Sequence, residues 1–315
     1  MRRVAAIDCG TNSIRLLIAD VDDAGGLHER VREMEIVRLG QGVDRTGSLD
    51  PAALARTLAA TERYAQACRA HDVEAVRFVA TSATRDAANR GDFVDGVRAV
   101  LGVEPEVVSG DEEAALSFAG AASVLGGKHP GPFLVVDIGG GSTELVLGDG
   151  TPEAATSMNI GSVRMTERHL AGDPPTPAEV AAARADVRAA LDAAAALVPL
   201  GCTGTLVGLA GSVTTVTARA LGLPAYDRSR VDGAEIGVDD ALRACADLLA
   251  APREERAAMP FMHPGRVDVI GAGALIWSEV IDRVRRDVAI TGRDLTAAVT
   301  SEHDILDGIA LSIGR

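Results

Sequence analysis

The sequence predicts an α/β protein of two similar lobes, and three observations predict it. Alanine-rich stretches of helical character alternate with short Val/Ile/Leu runs along the chain. The 315 residues carry 47% hydrophobic content, enough for two domains with cores of their own. Most informative is an internal repeat. Shifting RVAAIDCGTNSIRLLIADVD by 129 positions lays it on LVVDIGGGSTELVLGDG, with Asp8 on Asp137, Gly10 on Gly139, Ser13 on Ser142 and Leu16 on Leu145. So long a distance is not a solenoid period. It implies two lobes that each open with a strand, a phosphate-sized turn and a second strand.

The elements follow in order. Two apolar runs joined by a polar, glycine-containing turn make the opening segment a β-hairpin. Asp50 as N-cap with Pro51 at the first position starts a helix through AALARTLAATERYAQACRAH. VEAVRFVAT reads as a strand that brings Thr81, Ser82, Thr84 and Arg85 to its C-terminal end. Ser109 and Glu112 fit a capping box opening the helix DEEAALSFAGAASVL, and the turn-rich GGKHPGP behind it reads as the domain junction. The second hairpin comes next. Thr176-Pro177 with Glu179 opens a long alanine-rich helix, and GTLVGLAGSVTTVTARAL reads as strand, glycine turn and helix. VDVIGAGALIWSEVIDRV repeats that last pattern, with Trp277 at core spacing, and SEHDILDGIALSIG is a final amphipathic helix.

Composition excludes several classes. No apolar run approaches the roughly 18 residues of a membrane span, and the apolar start before Asp8 is too short for a signal peptide, so a cytoplasmic protein without a membrane role is expected. Cys9, Cys68, Cys202 and Cys245 lack paired spacing, which indicates neither a disulfide framework nor a zinc site. The six histidines form no HxH or HxxxH pair and read as surface or capping residues. A net charge of −14 argues against nucleic-acid binding over a broad basic surface, while leaving room for a polyanion in a locally basic site.

The chemistry concentrates in the two turns. DIGGGSTEL lacks the third glycine of a dinucleotide fingerprint and the Gly-Lys-Ser/Thr of a Walker loop. Its glycines, Gly139, Gly140 and Gly141, let backbone N–H groups approach phosphate without Cβ interference, as Gly10 does in the turn Gly10, Thr11, Asn12, Ser13. Thr11, Ser13, Ser142 and Thr143 add hydroxyls. An aspartate beside each turn, Asp8 and Asp137, would repel bare phosphate; it makes sense with a divalent cation such as Mg²⁺, which takes one or two carboxylates plus phosphate oxygens. The alternative is a pair of ordinary hairpin turns using Asp and Gly for geometry.

DCGTNSIRLLIAD and DIGGGSTELVLG resemble the two phosphate motifs of the actin, sugar kinase and chaperone ATPase superfamily. With ATSATRDAANR, SGDEEA, NIGSVRMTE and AGSVTT in the same order, the chain more narrowly resembles the exopolyphosphatase and guanosine pentaphosphate phosphohydrolase family, from its first residues to about residue 310. The resemblance implies two ribonuclease-H-like (actin-like ATPase) lobes with an interlobe cleft. The first would cover 1–126, completed by the C-terminal helix 300–315, and the second 127–299. It also implies roles. Glu113, in the first turn of its helix where the dipole favours an ionised carboxylate, matches the glutamate that activates water. Arg85 matches an arginine near the substrate phosphates, Gly161 and Ser162 offer a further backbone approach, and Arg164 is either an anion contact or a structural salt bridge. Asp137 and Glu144 are candidate metal ligands, with Asp8 a symmetric candidate; Glu144 aligns with Arg15 in the repeat, so the lobes differ in charge there.

The function so implied is hydrolysis of a phosphoanhydride bond, releasing terminal phosphate from inorganic polyphosphate with Mg²⁺ and a Glu-activated water. Guanosine pentaphosphate is the rival substrate. Longer members of the family carry further helical domains, and the end of this chain before them favours polyphosphate, short chains included. An ATP-dependent kinase or nucleotide-binding protein of the same fold is a second rival, weakened by Ser212 in LAGSVTT where a base platform has a second glycine. A polyphosphate-binding regulator is a third, against which Glu113 counts. Symmetry statistics make a homodimer the default assembly.

Overall fold

A computed structural model describes residues 1–22 and 26–313, and within it the chain forms two compact units. Met1–Gly120 makes the first together with the segment from Ile305 onward; Ala121–Asp304 makes the second.

The first unit opens on strands β1 (Arg2–Cys9), β2 (Ser13–Val21) and β3 (Leu27–Ile36), an antiparallel meander. Helices α1 (Val43–Thr46) and α2 (Pro51–Ala70) lead to β4 (Ala75–Ala80), parallel to β1. After α3 (Ser82–Asp86) and α4 (Arg90–Leu101), the short β5 (Glu106–Val107) extends the sheet to the order β3-β2-β1-β4-β5. Helix α5 (Gly110–Leu125) follows, and the unit boundary falls inside it, ahead of GGKHPGP.

The second unit repeats the plan. Strands β6 (Phe133–Ile138), β7 (Thr143–Gly148) and β8 (Pro152–Met158) form a second meander. Helices α6 (Ser162–His169) and α7 (Pro177–Ala195) lead to β9 (Thr205–Leu209), parallel to β6. Then come α8 (Ala210–Ala220), α9 (Arg228–Val231), β10 (Glu235–Gly237), α10 (Val238–Ala250), α11 (Arg253–Ala258), α12 (Ile270–Ile290) and β11 (Ala297–Thr300), giving the order β10-β11-β9-β6-β7-β8. The chain closes with α13 (Ile305–Ile313) in the first unit; Gly314 and Arg315, at the end of the expected last helix, lie outside the described residues.

The apolar opening strand is explained by burial on both faces. Ala5, Ile7 and Cys9 face a core shared with Tyr64, Phe78 and Phe93, while Val4 and Ala6 face Leu116, Ile305 and Ile309 from α5 and α13. At Gly308 a Cβ would lie 2.0 Å from the Leu116 carbonyl oxygen, so α13 meets α5 backbone to backbone. In the second unit Trp277 fills the core from α12, lying so close to β9 that a Cβ on Gly208 would sit 2.9 Å from its ring. Cys9, Cys68 and Cys245 are buried, Cys202 is exposed, and all four thiols are free.

The local start signals operate as read. Asp50 accepts from the N–H groups of Ala52 and Ala53, and Thr176 with Glu179 forms a complete capping box. Several elements differ from the sequence reading. VDVIGAGALIW holds no strand and no glycine turn: Gly271 and Gly273 lie within α12, where a Cβ on Gly273 would meet the Ser212 Oγ at 2.2 Å, so the glycines serve close packing. Strands β3 and β8 were not expected, because each is an edge strand with a largely polar sequence and no apolar run to betray it. Among the described residues no helix is long and apolar enough to cross a membrane.

Candidate functional site

In the first unit the turn Gly10–Asn12 links β1 to β2, closed by the Gly10 N–H donating to the Ser13 carbonyl at 3.0 Å. Thr11 is buried, its hydroxyl 2.9 Å from that of Ser82 at the start of α3. Asp8, two residues before the turn, is register partner to Arg15; the guanidinium donates to Asp8 Oδ2 from Nε at 2.9 Å and from its terminal nitrogen at 2.7 Å. One acidic group beside this turn is thus matched by a cation from within the same hairpin.

Arg85 and Glu113 come together in the same unit. The Arg85 guanidinium, on α3, donates to the Val108 carbonyl at 2.9 Å and to Glu113 Oε2 at 3.1 Å. Glu113 is buried in the first turn of α5, with its N–H on the Ser109 carbonyl at 2.9 Å. Ser109 Oγ takes the Glu112 N–H at 3.2 Å, the serine half of the expected capping box, while the Glu112 carboxylate accepts from Arg77 at 2.8 Å. Tertiary pairing with Arg77 outcompetes the local return contact. The two adjacent glutamates therefore differ: Glu112 is an exposed helix-start residue, and Glu113 is turned inward on an arginine.

The second unit reproduces the turn. The Gly139 N–H donates to the Ser142 carbonyl at 3.0 Å, the counterpart of the Gly10–Ser13 bond. Ser142 is buried at the start of the returning chain, and the Thr143 hydroxyl donates to the Ile160 carbonyl at 2.7 Å, so that hydroxyl holds the fold instead of offering itself to a ligand. Gly161 and Ser162 lie behind the glycine loop. The Ser162 N–H donates to the Gly139 carbonyl at 2.9 Å, and the N–H groups of Val163 and Arg164 converge on the Gly140 carbonyl at 2.9 and 3.1 Å. The Ser162 amide, expected as a phosphate donor, is thus taken up by the loop, and the next two amides hold the loop as well. The Arg164 side chain, on α6, is buried.

Asp137 and Glu144 are register partners across β6 and β7, both buried, and Glu144 accepts from the Ser157 hydroxyl of β8 at 2.7 Å. Directly opposite residues of an antiparallel pair project from the same face, and like charges in that position are unfavourable without compensation. Two oxygen donors so placed fit a hard divalent cation that keeps water or phosphate oxygens as its other ligands. Among the described residues no group of three or more His, Cys, Asp or Glu side chains is gathered to hold a metal by itself. Of the histidines, His28, His169 and His303 face Asp22, Asp186 and Asp232, and His263 caps a short turn by accepting from the Gly265 N–H.

Two features were missed by sequence reasoning. Residues 37–40 tie down the first turn: Val37 and Arg38 donate to the Asn12 carbonyl at 3.1 and 2.9 Å, and Gly40 donates to the Thr11 carbonyl at 2.8 Å. The signal available was the glycine pair in RLGQG. Arg266 is the other. Its guanidinium lies against the start of α8, where a Cβ on Gly211 would be 2.4 Å from its Nε.

Two sheets of corresponding strand order, each with a glycine turn between its first two strands, define an actin-like ATPase fold. Residues 17–311 match the Ppx/GppA phosphatase family. The chain is 50% identical over 99% of both lengths to exopolyphosphatase 2 of Mycobacterium tuberculosis. Among solved structures it resembles an exopolyphosphatase-like protein (TM-score 0.96, 50% identity, covering 100% of this chain and 98% of the other). It also resembles a PPX-GPPA enzyme of Aquifex aeolicus (TM-score 0.80, 31% identity, covering 99% of each chain). The chain belongs to the Ppx/GppA phosphatase family.

Proposed function

We propose that the protein is an exopolyphosphatase that hydrolyses the terminal phosphoanhydride bond of inorganic polyphosphate. The observation that carries this reading is Glu113: a buried carboxylate at a helix N-terminus, held by Arg85 in a unit that also carries a phosphate-type turn. The helix dipole and the guanidinium both favour its charged, proton-accepting form. Its kinship with an exopolyphosphatase over nearly the whole length supports the choice of substrate.

In this mechanism Glu113 takes a proton from a water molecule as the water oxygen bonds to the terminal phosphorus. The bridging P–O bond breaks, orthophosphate leaves, and the shortened chain keeps the bridging oxygen. In each unit the turn N–H groups beyond the Gly10 or Gly139 amide that closes the turn donate to phosphate oxygens, and in the first unit Arg85 fixes the direction of the Glu113 carboxylate. Asp137 and Glu144 would hold the divalent cation, with Asp8 already engaged by Arg15. A bound Mg²⁺ there supplies charge neutralisation for phosphate oxygens. A cytoplasmic location accords with that substrate.

Phosphate release from polyphosphate and from guanosine pentaphosphate, measured separately with and without Mg²⁺, tests the reading. Mg²⁺-dependent release from polyphosphate, lost in Glu113→Gln with the fold intact, is the expected result. Turnover of guanosine pentaphosphate alone reassigns the substrate, and near-wild-type activity of Glu113→Gln removes the base.

A further inference from the structure

The two glycine turns share a device that lies outside the turns themselves. A trans peptide is planar, so a carbonyl pinned in one direction sends the next N–H in the opposite one. In the second unit the carbonyls of Gly139 and Gly140 are pinned by the first amides of α6, Ser162 on the one and Val163 with Arg164 on the other. The N–H groups of Gly140 and Gly141 are thereby directed away from α6. In the first unit the carbonyls of Thr11 and Asn12 are pinned by residues 37–40, Gly40 on the one and Val37 with Arg38 on the other. That directs the N–H groups of Asn12 and Ser13 away from residues 37–40. Each unit uses the same pattern, one single donor and one pair of consecutive amides converging on a carbonyl. In the first unit the convergence needs Arg38 at φ 51°, a left-handed conformation that a residue with a side chain rarely adopts.

We propose that residues 37–40 and 161–164 are positioning segments that aim the turn amides at phosphate, and that Gly40 and Gly161 are the residues on which this depends. The inference rests on the turns binding phosphate, as argued above. Gly161 has φ −156°, extended backbone open to any residue, so conformation does not call for glycine there. Proximity does: a Cβ would lie 2.5 Å from the carbonyl carbon and oxygen of Gly140 and 2.6 Å from that of Gly141. Backbone atoms cannot give way without turning the peptides that carry the N–H groups. At Gly40 a Cβ would lie 2.3 Å from Thr11 Cγ2 and 3.0 Å from Ala83 Cβ, forcing residues 37–40 off the turn. The clash at Gly40 is mainly with one methyl group, and Thr11→Ser removes that methyl while keeping the hydroxyl.

The test uses the full chain carrying Gly161→Ala, Gly40→Ala, or Gly40→Ala with Thr11→Ser, with Gly126→Ala as control because nothing lies within 4 Å of a Cβ there. KM, kcat and Tm are measured for each on polyphosphate and on guanosine pentaphosphate. Misdirecting a pair of amides should raise KM about tenfold in Gly161→Ala and Gly40→Ala, with a smaller change in kcat. Thr11→Ser should restore KM in the Gly40→Ala background, and the control should keep the wild-type value. Wild-type KM in the folded glycine variants, or recovery of Tm by Thr11→Ser without recovery of KM, overturns the proposal. Gly40→Ala opposes only side chains and keeps the test open if Gly161→Ala fails to fold. A wrong substrate reading shows in the wild-type protein, whereas a wrong positioning role shows only in the variants.

Discussion

Asp137 and Glu144 face each other across β6 and β7 at the register position where Asp8 and Arg15 face each other across β1 and β2. One hairpin satisfies its aspartate internally, through an ion pair of 2.7 Å. The other sets a second carboxylate opposite the first. That difference of one residue type is what the proposed cation site rests on.

Glu144→Gln should separate these roles. The amide oxygen can still accept from Ser157, and removing the facing charge stabilises the metal-free protein by about 0.2–1 kcal/mol. Thermal unfolding in chelator and in Mg²⁺ measures both effects. The wild-type Tm should rise with Mg²⁺, and the variant should start higher and respond less. A full Mg²⁺ response in Glu144→Gln would remove that residue from the metal site.

Arg85→Ala takes the guanidinium from both the Val108 carbonyl and Glu113. Taking this charged donor from a buried carboxylate should cost about 1–3 kcal/mol in urea unfolding. It should also lower kcat more than it raises KM, because the variant misdirects the base while the turn amides remain. Arg85→Lys should recover part of the stability and little of kcat, since an ammonium lacks the planar fork. An increase in KM with unchanged kcat would make Arg85 a substrate-binding residue instead.

Acid should weaken the first unit through Asp20. Hydrogen bonds from Arg3 first and Arg30 second hold its carboxyl at about 2, against an ordinary 3.8. A depressed folded value means that the native state favours the charged form. The resulting stability is therefore present above the unfolded value and lost as pH falls from about 4 toward 2. The Tm difference between wild type and Asp20→Asn should be constant above about pH 5 and shrink below it. A difference independent of pH would show that the carboxylate contributes through shape alone.

Gly308→Ala probes the docking of α13. Its Cβ would meet the Leu116 carbonyl oxygen at 2.0 Å, and overpacking of this kind typically costs about 1–3 kcal/mol. Urea unfolding should detect the loss, while Ser312→Ala, exposed on the same helix, should change stability far less. Equal stabilities would mean that α13 shifts without penalty.

Much of the architecture was legible because its signals are local. Asp50-Pro51 and the Thr176/Glu179 box start helices through contacts within one turn, and the structure has both. The repeat aligned Asp8 with Asp137 and Arg15 with Glu144, and strand pairing makes those residues facing partners because a hairpin's register follows from its turn. Other features were illegible for the converse reason. Strands β3 and β8 carry edge-strand polarity, which resembles loop, and VDVIGAG resembles strand and turn although its glycines serve packing between helices.

By itself, then, the sequence determined two hairpins with matched glycine turns, the charges beside them and an acidic helix start at Glu113. Tertiary structure alone decided what each group does with its donors. It sent Arg85 to Glu113, Arg77 to Glu112 and the Thr143 hydroxyl to Ile160, and it set Gly40 and Gly161 against the turn carbonyls. The physical reason is directional: spacing along a chain specifies which groups are present and on which face, whereas a hydrogen bond's direction depends on a partner that only packing brings within reach.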